Sequence, residues 1–483
     1  MTRSAGWNRV WAVSLVCTAT AIAQAQTFAT LHSFDGHDGQ YPYLGLVQAI
    51  NGDFYGSTSY GGSVTVEGRS GTVFKVTPNG TLTTLHGFCS PDVCLGGPRP
   101  TGLVQDTNGN LYGATGGQGA NGAGTVFKMS SNGKLTVLYN FCSQNLCADG
   151  ITPVGGLIEA ANGELYGTTY LGGTYGYGTV FKITPGGTLT ALHSFDCSDG
   201  AYPETSLVQA TDGNLYGTTK QGGRHCGQGV FGGTVFKITP RGTLTTLHIL
   251  QSQEGETPSA LIQASDGDLY GTTDGGGTID AGTVFKITTS GSLTILHTFC
   301  SQPGCADGWA PQGPLVQATD GNFYGTTAGG GANQGGTIFR ITPSGTLTTL
   351  YSFCPQAPCA DGSDPWAGLV QSTNGMFYGT TKSGGASDSC YAGCGTIFSL
   401  DMGLGPFVAF VRAAGKVGQT GGILGQGFTG TTSVSFDGTP ANFTVRSDTY
   451  LTATVPPGAT TGHVTVATPS GVLKRNVPFH VLR

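Results

Sequence analysis

The chain has 483 residues, only 10% of them charged, and a formal net charge of −6. That length allows several ordinary domains or one large repetitive one. Charge this sparse, with no basic stripe, lacks the electrostatic footprint of a nucleic-acid binder, and 84 glycines without a three-residue period exclude collagen.

The first element is a targeting segment. Arg3 and Arg9 flank the start of a short apolar run over residues 10–23, and Ala23-Gln24-Ala25 is a small-x-small cleavage site. Residues 1–25 are therefore expected to be a signal peptide, with the mature chain starting at Gln26. Lipidation at Cys17 competes, although Val16 is too bulky for the usual lipoprotein cleavage site. The apolar run is too short to span a bilayer comfortably, so the mature chain is expected without a transmembrane segment. Its place would be extracellular, at the cell surface or periplasmic.

A lone strand, FATLHSF over residues 28–34, comes next, and then a phrase begins to recur. TDGNLYGTT from Thr211 has relatives starting at Asn51, Asn108, Asn162, Asp266, Asp320 and Asn374. The tyrosines of this phrase, from Tyr55 to Tyr378, mostly stand 54 residues apart. GTVFK and its variants keep the same beat from Gly71 to Gly395, preceded by LVQA-like and followed by TLTTLH-like runs. A period this long makes one supersecondary unit per repeat. In the fourth copy the expected strands are residues 206–211, 214–219, 233–239 and 243–250. Asp212-Gly213 is expected to form a two-residue hairpin turn, and Pro240-Arg241-Gly242 a second turn. No segment carries a helical apolar period over helical length.

The strands are apolar on both faces, so each sheet should be covered on both sides, as in blades arranged radially about an axis. The phase of the repeats sharpens this. The chain opens on a lone fourth strand and ends its last repeat on a lone third strand, GTIFSL from Gly395. Pairing those two strands would close a circle and remove both open edges. The expectation is an all-β chain: residues 26–402 form a seven-bladed β-propeller of four-stranded blades whose N-terminal strand closes the last blade. Residues 403–406 are a linker. Residues 407–483, with short alternating strands between Gly and Pro turns, suit a small β-sandwich.

Without Cys17, twelve cysteines remain. In an exported protein they read as six disulfides: Cys89 with Cys94, Cys142 with Cys147, Cys197 with Cys226, Cys300 with Cys305, Cys354 with Cys359, and Cys390 with Cys394. Metal binding is the weaker reading, because no histidines accompany the pairs. All twelve fall in the two long loops of each repeat, which share one face.

The repeats resemble the GloVer tandem-repeat family of exported bacterial proteins, through DGNLYGTT, GTVFKITP and TLTTLHSF. That resemblance implies a propeller-like domain on secreted or surface proteins, mostly without an established activity. Residues 406–483 resemble the IPT/TIG immunoglobulin-like domains through Gly425-x-Gly427-Phe428, the run from Phe436 to Ala441, and Val455-Pro456-Pro457-Gly458. Such a domain implies a spacer or contact module.

Candidate site residues lie on the long-loop face. An acidic-Gly-x-x-Pro phrase supplies Asp38, Asp149, Asp199, Glu254, Asp307 and Asp361. A ring of carboxylates is chemistry for calcium or a cationic ligand; the competing role is turn capping. The aromatics beside it, Tyr41, Tyr43, Tyr202, Trp309 and Trp366, are shaped to stack on sugars or to pack loops. Glutamines, lysines and histidines repeated in the strands are expected to make hydrogen bonds between blades. A catalytic group is needed once, so an enzyme would draw on unrepeated residues: Glu67 with Arg69, Arg224 with His225, or Asp274 with Asp280. No catalytic motif singles out a set, and no cofactor is implied. The functional expectation is an extracellular binding or structural module for a glycan or protein partner, and the alternative is a secreted glycosidase or lyase on the same face.

Overall fold

The computed structural model describes residues 26–62, 71–88, 99–117, 119–223, 226, 232–475 and 477–482. The targeting segment, the Cys89–Cys94 pair, Glu67, Arg69, Arg224 and His225 lie outside the described residues. Within them the chain is all-β, with two three-residue 3-10 turns as its helical content.

Seven antiparallel sheets share one plan. The fourth repeat shows it: Val208–Gln209, Leu215–Thr219, Thr234–Ile238 and Leu244–Ile249 lie side by side in chain order. One sheet gains a fifth strand, Glu256–Pro258. The seventh takes its outer strand from the other end of the chain: Thr27–Ser33 pairs antiparallel with Thr396–Asp401, with Thr27 opposite Asp401 and Ser33 opposite Thr396. Third and fourth strands meet with a bulge in each sheet, such as the one between Val235 and Phe236, and the opening strand carries its own between Thr30 and His32. These are propeller-like repeats.

Two local expectations are corrected. The first strand of each repeat is only two residues long, and the Asp-Gly turn spans five residues instead of two. In the fourth repeat the Ala210 amide donates to Asn214 O and the Gly213 amide to Ala210 O, with Gly213 at φ 80°. Asp212 stabilises this wider turn by accepting from the Asn214 amide at 3.0 Å and the Tyr216 hydroxyl at 2.8 Å. An aspartate that binds its own backbone favours the longer turn over the tight one.

Second and third strands are buried, apart from one half-buried residue in the third, such as Lys237. Their apolar clusters lie between neighbouring sheets. Tyr216 and Val235 pack with Leu269, Phe285 and Ile287 of the next repeat; Phe34, Tyr378 and Ile397 pack with Phe54, Phe74 and Val76 of the first. Each fully buried side chain of this size contributes roughly 1.5–3 kcal/mol. The glycine of the Tyr-Gly-Thr-Thr phrase gives the third-strand phenylalanine its seat. A Cβ on Gly217 would lie 2.6 Å from Phe236 Cζ and 2.7 Å from Leu207 Cδ2.

Two further contacts join each sheet to the next. On the short-turn side a first-strand glutamine accepts from a turn amide of the preceding repeat, as in Thr211 N to Gln263 Oε1 at 2.9 Å. The same bond links the first sheet to the last, Thr373 N to Gln48 Oε1 at 3.0 Å. On the long-loop side a proline packs on the glycine that opens the preceding third strand, Pro258 on Gly233 and likewise Pro42 on Gly395. Of the repeated polar residues expected to bridge sheets, only glutamine does so. Lys75, Lys182 and Lys286 pair inside their own sheet, Lys182 with Glu164 at 3.0 Å, and His32, His193, His248 and His297 pair with the adjoining loop. Residues beyond Met402 form two four-stranded sheets and a two-stranded parallel pair around a core that includes Val408, Phe428, Leu451 and Phe479.

Candidate binding site

The segment leading from each fourth strand into the next repeat ends in x-Pro. The residue before proline is left-handed in all seven repeats: Tyr41, Arg99, Thr152, Tyr202, Thr257, Ala310 and Asp364, with φ between 49° and 62°. None is glycine, so this conformation is held by its surroundings. The amide of Tyr202 donates to Tyr177 O of the preceding repeat at 2.9 Å, and its carbonyl accepts from the Lys220 amide at 3.1 Å. Tyr41 does the same across the chain ends, its amide donating to Cys394 O at 3.0 Å. This doubly bonded backbone fixes the residue that follows the proline.

Those following residues surround one cavity of about 600 Å³ on the long-loop side. Six of the seven line it directly: Tyr43, Thr101, Val154, Glu204, Gln312 and Trp366; the fifth repeat contributes Ala260, next to Ser259. The seven equivalent positions therefore hold Tyr, Thr, Val, Glu, Ser, Gln and Trp, while the strands behind them repeat almost word for word.

The wall is uneven in chemistry. On one side Trp366 meets Tyr43 edge-on, with ring centroids 5.3 Å apart, and Lys382 Nζ sits 4.3 Å from the Trp366 ring while pairing with Asp364 at 3.1 Å. Burial raises the Tyr43 hydroxyl pKa, so this phenol is neutral at physiological pH. Arg99, also in the wall, donates to the Tyr60 hydroxyl at 3.0 Å. Toward the fourth and fifth repeats Glu204 pairs with Lys220 at 3.1 Å, and Gln312 donates to half-buried Asp274. Burial pushes the Asp274 carboxyl pKa up, Lys220 opposes that, and Asp280 and Glu204 reinforce it. Asp280 itself accepts from the Gly276 amide at 2.7 Å, within its own loop.

Of the aromatics named from sequence, Tyr43 and Trp366 line this cavity. Tyr202 packs on Tyr170 and Tyr177, and the Tyr41 hydroxyl donates to Tyr391 O. Trp309 is 44% exposed and lies over Gly329. The repeated carboxylates do not converge. Asp38, Asp199, Glu254 and Asp307 pair with His32, His193, His248 and His297 at 2.6–3.1 Å. Asp149 and Asp361 accept from Tyr139 and Tyr351, each at 2.8 Å. Each also accepts from a backbone amide of its own loop, as Asp307 does from Ser301 at 3.0 Å. Among the described residues no group of three or more His, Cys, Asp or Glu stands ready to hold a metal ion. Sequence reasoning missed Arg99, Glu204 and Gln312. Their signal was the position around the loop proline, the place where the copies disagree.

Among the described residues five disulfides join Cys142 to Cys147, Cys197 to Cys226, Cys300 to Cys305, Cys354 to Cys359, and Cys390 to Cys394. Such bridges persist in an oxidising compartment. Exposed apolar side chains also gather in the long loops: Leu146, Tyr175, Ile279, Trp309 and Tyr391. Among the described residues no helix is long and apolar enough to cross a membrane.

Four-stranded antiparallel sheets repeated about one shared cavity define an all-β, propeller-like repeat protein. More particularly, the chain belongs to the Gloeobacter/Verrucomicrobia repeat family, whose pattern matches residues 18–231 and 227–445. No curated protein matches it. Among solved structures it is similar to the extracellular domain of BT4673 from B. thetaiotaomicron, assigned to a one component system, at 12% identity and a TM-score of 0.49, covering 94% of this chain and 58% of that one. A protein from Bacteroides uniformis, assigned as a 6-phosphogluconolactonase, shares 18% identity over 65% of this chain and 85% of its own, with a TM-score of 0.44. The gluconolactonase XC5397 from Xanthomonas campestris shares 11% over 76% and 88%, with a TM-score of 0.36.

Proposed function

We propose that this is an exported binding protein: a signal peptide over residues 1–25, a closed seven-bladed β-propeller over 26–402, a linker over 403–406 and an IPT/TIG-like sandwich over 407–483. Its ligand is an extracellular glycan or a protein segment held in the cavity of the disulfide-rich face. The observation that carries this reading is the set of seven different side chains at seven equivalent backbone positions. A purely structural ring has no use for such variety, whereas an asymmetric ligand is recognised only where the repeats differ. Trp366 and Tyr43 offer apolar faces for a sugar ring or aromatic side chain; Glu204, Gln312 and Arg99 offer donors and acceptors for its polar edge. The sheet-to-sheet contacts that also join first to last support the closed ring.

A second reading, a carbohydrate-active enzyme, is favoured by one feature, the half-buried Asp274 beside Gln312 and close enough to Glu204 to feel its charge. One experiment addresses both. The mature protein is screened on a glycan array and any hit is checked for products. Binding weakened at least about tenfold by Trp366→Ala and by Glu204→Ala, without product, is the expected result. Binding indifferent to both substitutions sinks the cavity as the site, and product formation lost in Asp274→Asn establishes the enzyme.

A further inference from the structure

The glutamine ladder has one break. Gln48, Gln105, Gln209, Gln263, Gln317 and Gln371 each take the amide of a preceding turn, at Thr373, Ile50, Ala161, Thr211, Ser265 and Thr319. The third repeat has Glu159 instead. Glutamine suits the place because its NH2 also donates to its own turn's glycine carbonyl, as Gln209 does to Gly213 O at 3.2 Å. A carboxylate has no such donor. The Glu159 side chain is 4% exposed, it pairs with Arg412 from the C-terminal module, and its Oε2 is buried without a protein partner. Burial raises its pKa, which Arg412 opposes. For stability alone the glutamine of the other six repeats would serve better.

The module rests on the short-turn side of the repeats. The Phe407 amide donates to Thr373 O at 3.0 Å, Gln426 Nε2 to Thr373 Oγ1 at 2.8 Å, Thr449 Oγ1 to Ile50 O at 3.1 Å and the Tyr450 hydroxyl to Thr107 O at 3.0 Å. All these acceptors are backbone carbonyls or a threonine hydroxyl, features that recur from repeat to repeat. The contact with Glu159 alone among them reads a residue that no other repeat has. Two chambers, of about 320 and 480 Å³, lie between the module and the first strands of all repeats but the second, and Arg475 lines both.

We propose that Glu159 and Arg412 form the key that sets the rotational position of the C-terminal module on the pseudo-sevenfold turn face, and that the seated module plugs that end of the axis. The inference rests on the closed-ring reading. Phe407 anchors one edge of the module at Thr373; the Glu159 contact sets its rotation about that anchor. The ligand cavity opposite is thereby left with a single mouth, so ligand enters and leaves only through the disulfide-rich face.

The test uses the full mature chain. Val316 lines the smaller chamber, and Val316→Cys is labelled with a small maleimide while limited proteolysis follows cleavage near residues 403–408. Glu159→Gln and Arg412→Gln should each speed labelling and cleavage at least about tenfold, and the exchange Glu159→Arg with Arg412→Glu should bring both back toward the parent rates. Parent rates in Glu159→Gln, or an exchange no better than the single changes, overturn the key. Ring closure has its own readout: Ala29→Cys with Ser399→Cys, facing residues of the paired end strands, should crosslink in every variant. No crosslink in any variant overturns the ring, and the key with it.

Discussion

Replacing Gly217 by alanine tests the packing logic of the whole repeat. The added Cβ falls 2.6 Å from Phe236 Cζ, 3.1 Å from Phe236 Cε1 and 2.7 Å from Leu207 Cδ2. Carbon pairs settle at about 3.5–4.0 Å, so ring and methyl must each retreat by roughly 1 Å. Neither has room: Phe236 is fully buried and Leu207 nearly so, in the cluster shared with Tyr166 and Val180 of the preceding repeat. Overpacking of this kind costs about 1–3 kcal/mol. Against it, the lost freedom of the unfolded chain returns about 0.4–1 kcal/mol. The net is a destabilisation of about 1–2 kcal/mol, a fall in Tm of roughly 1–3 °C because the unfolding entropy of so large a domain is high. Differential scanning calorimetry reads this directly. Gly186→Ala is the control, since its Cβ meets nothing nearer than Thr184 Oγ1 at 3.8 Å and its φ is ordinary. The same fall should follow Gly271→Ala, where Phe285 Cζ lies at 2.7 Å. A Gly217→Ala protein that melts at or above the control refutes the argument that glycine is there to seat the phenylalanine.

Deleting residues 26–35 should strip the seventh sheet of its outer strand and broaden and lower the main melting transition; an unchanged transition counts against closure by that strand. Reducing the disulfides should speed protease cutting in the long loops with little change in that transition, because four of the five described bridges span only four or five residues; a collapse of the sheets on reduction contradicts it. Burial pushes the Asp307 pKa up, but hydrogen bonds from the Ser301 hydroxyl and the Ser301 and Gln302 amides outweigh it and leave the value below the ordinary one. Folding lowers this pKa, so its stabilisation is complete above the unfolded value of about 4 and is lost as pH falls through the lower folded value. Asp307→Asn should therefore be less stable at pH 7 and lose less on acidification, measured as Tm from pH 7 to pH 2; an identical acid limb removes Asp307 from the account.

Much of the fold was legible in particular residues. The 54-residue beat, the doubly apolar GTVFK strands and the strand phase at the two ends together announced four-stranded sheets and the pairing of Thr27–Ser33 with Thr396–Asp401. Cysteine spacing announced the loop bridges, because residues four or five apart have few other partners. The site was harder to read. Asp38 and its equivalents drew attention because they recur, yet each is tied to a histidine or tyrosine beside its own loop. Arg99, Glu204 and Gln312 escaped notice because their mark, a place beside the loop proline, shows only when the repeats are compared position by position.

The sequence by itself determined what depends on neighbours along the chain: strand periodicity, turn residues, the glycine that admits a ring, the repeat length. Tertiary structure decided what depends on residues hundreds of positions apart. It gathered divergent side chains from six of the seven repeats about a single cavity, and it set Arg412 against Glu159, the one place where the glutamine ladder fails. Both follow from the same physics: local propensity is encoded at each repeat separately, whereas a shared cavity and a docking contact exist only once the sheets are packed around their common centre.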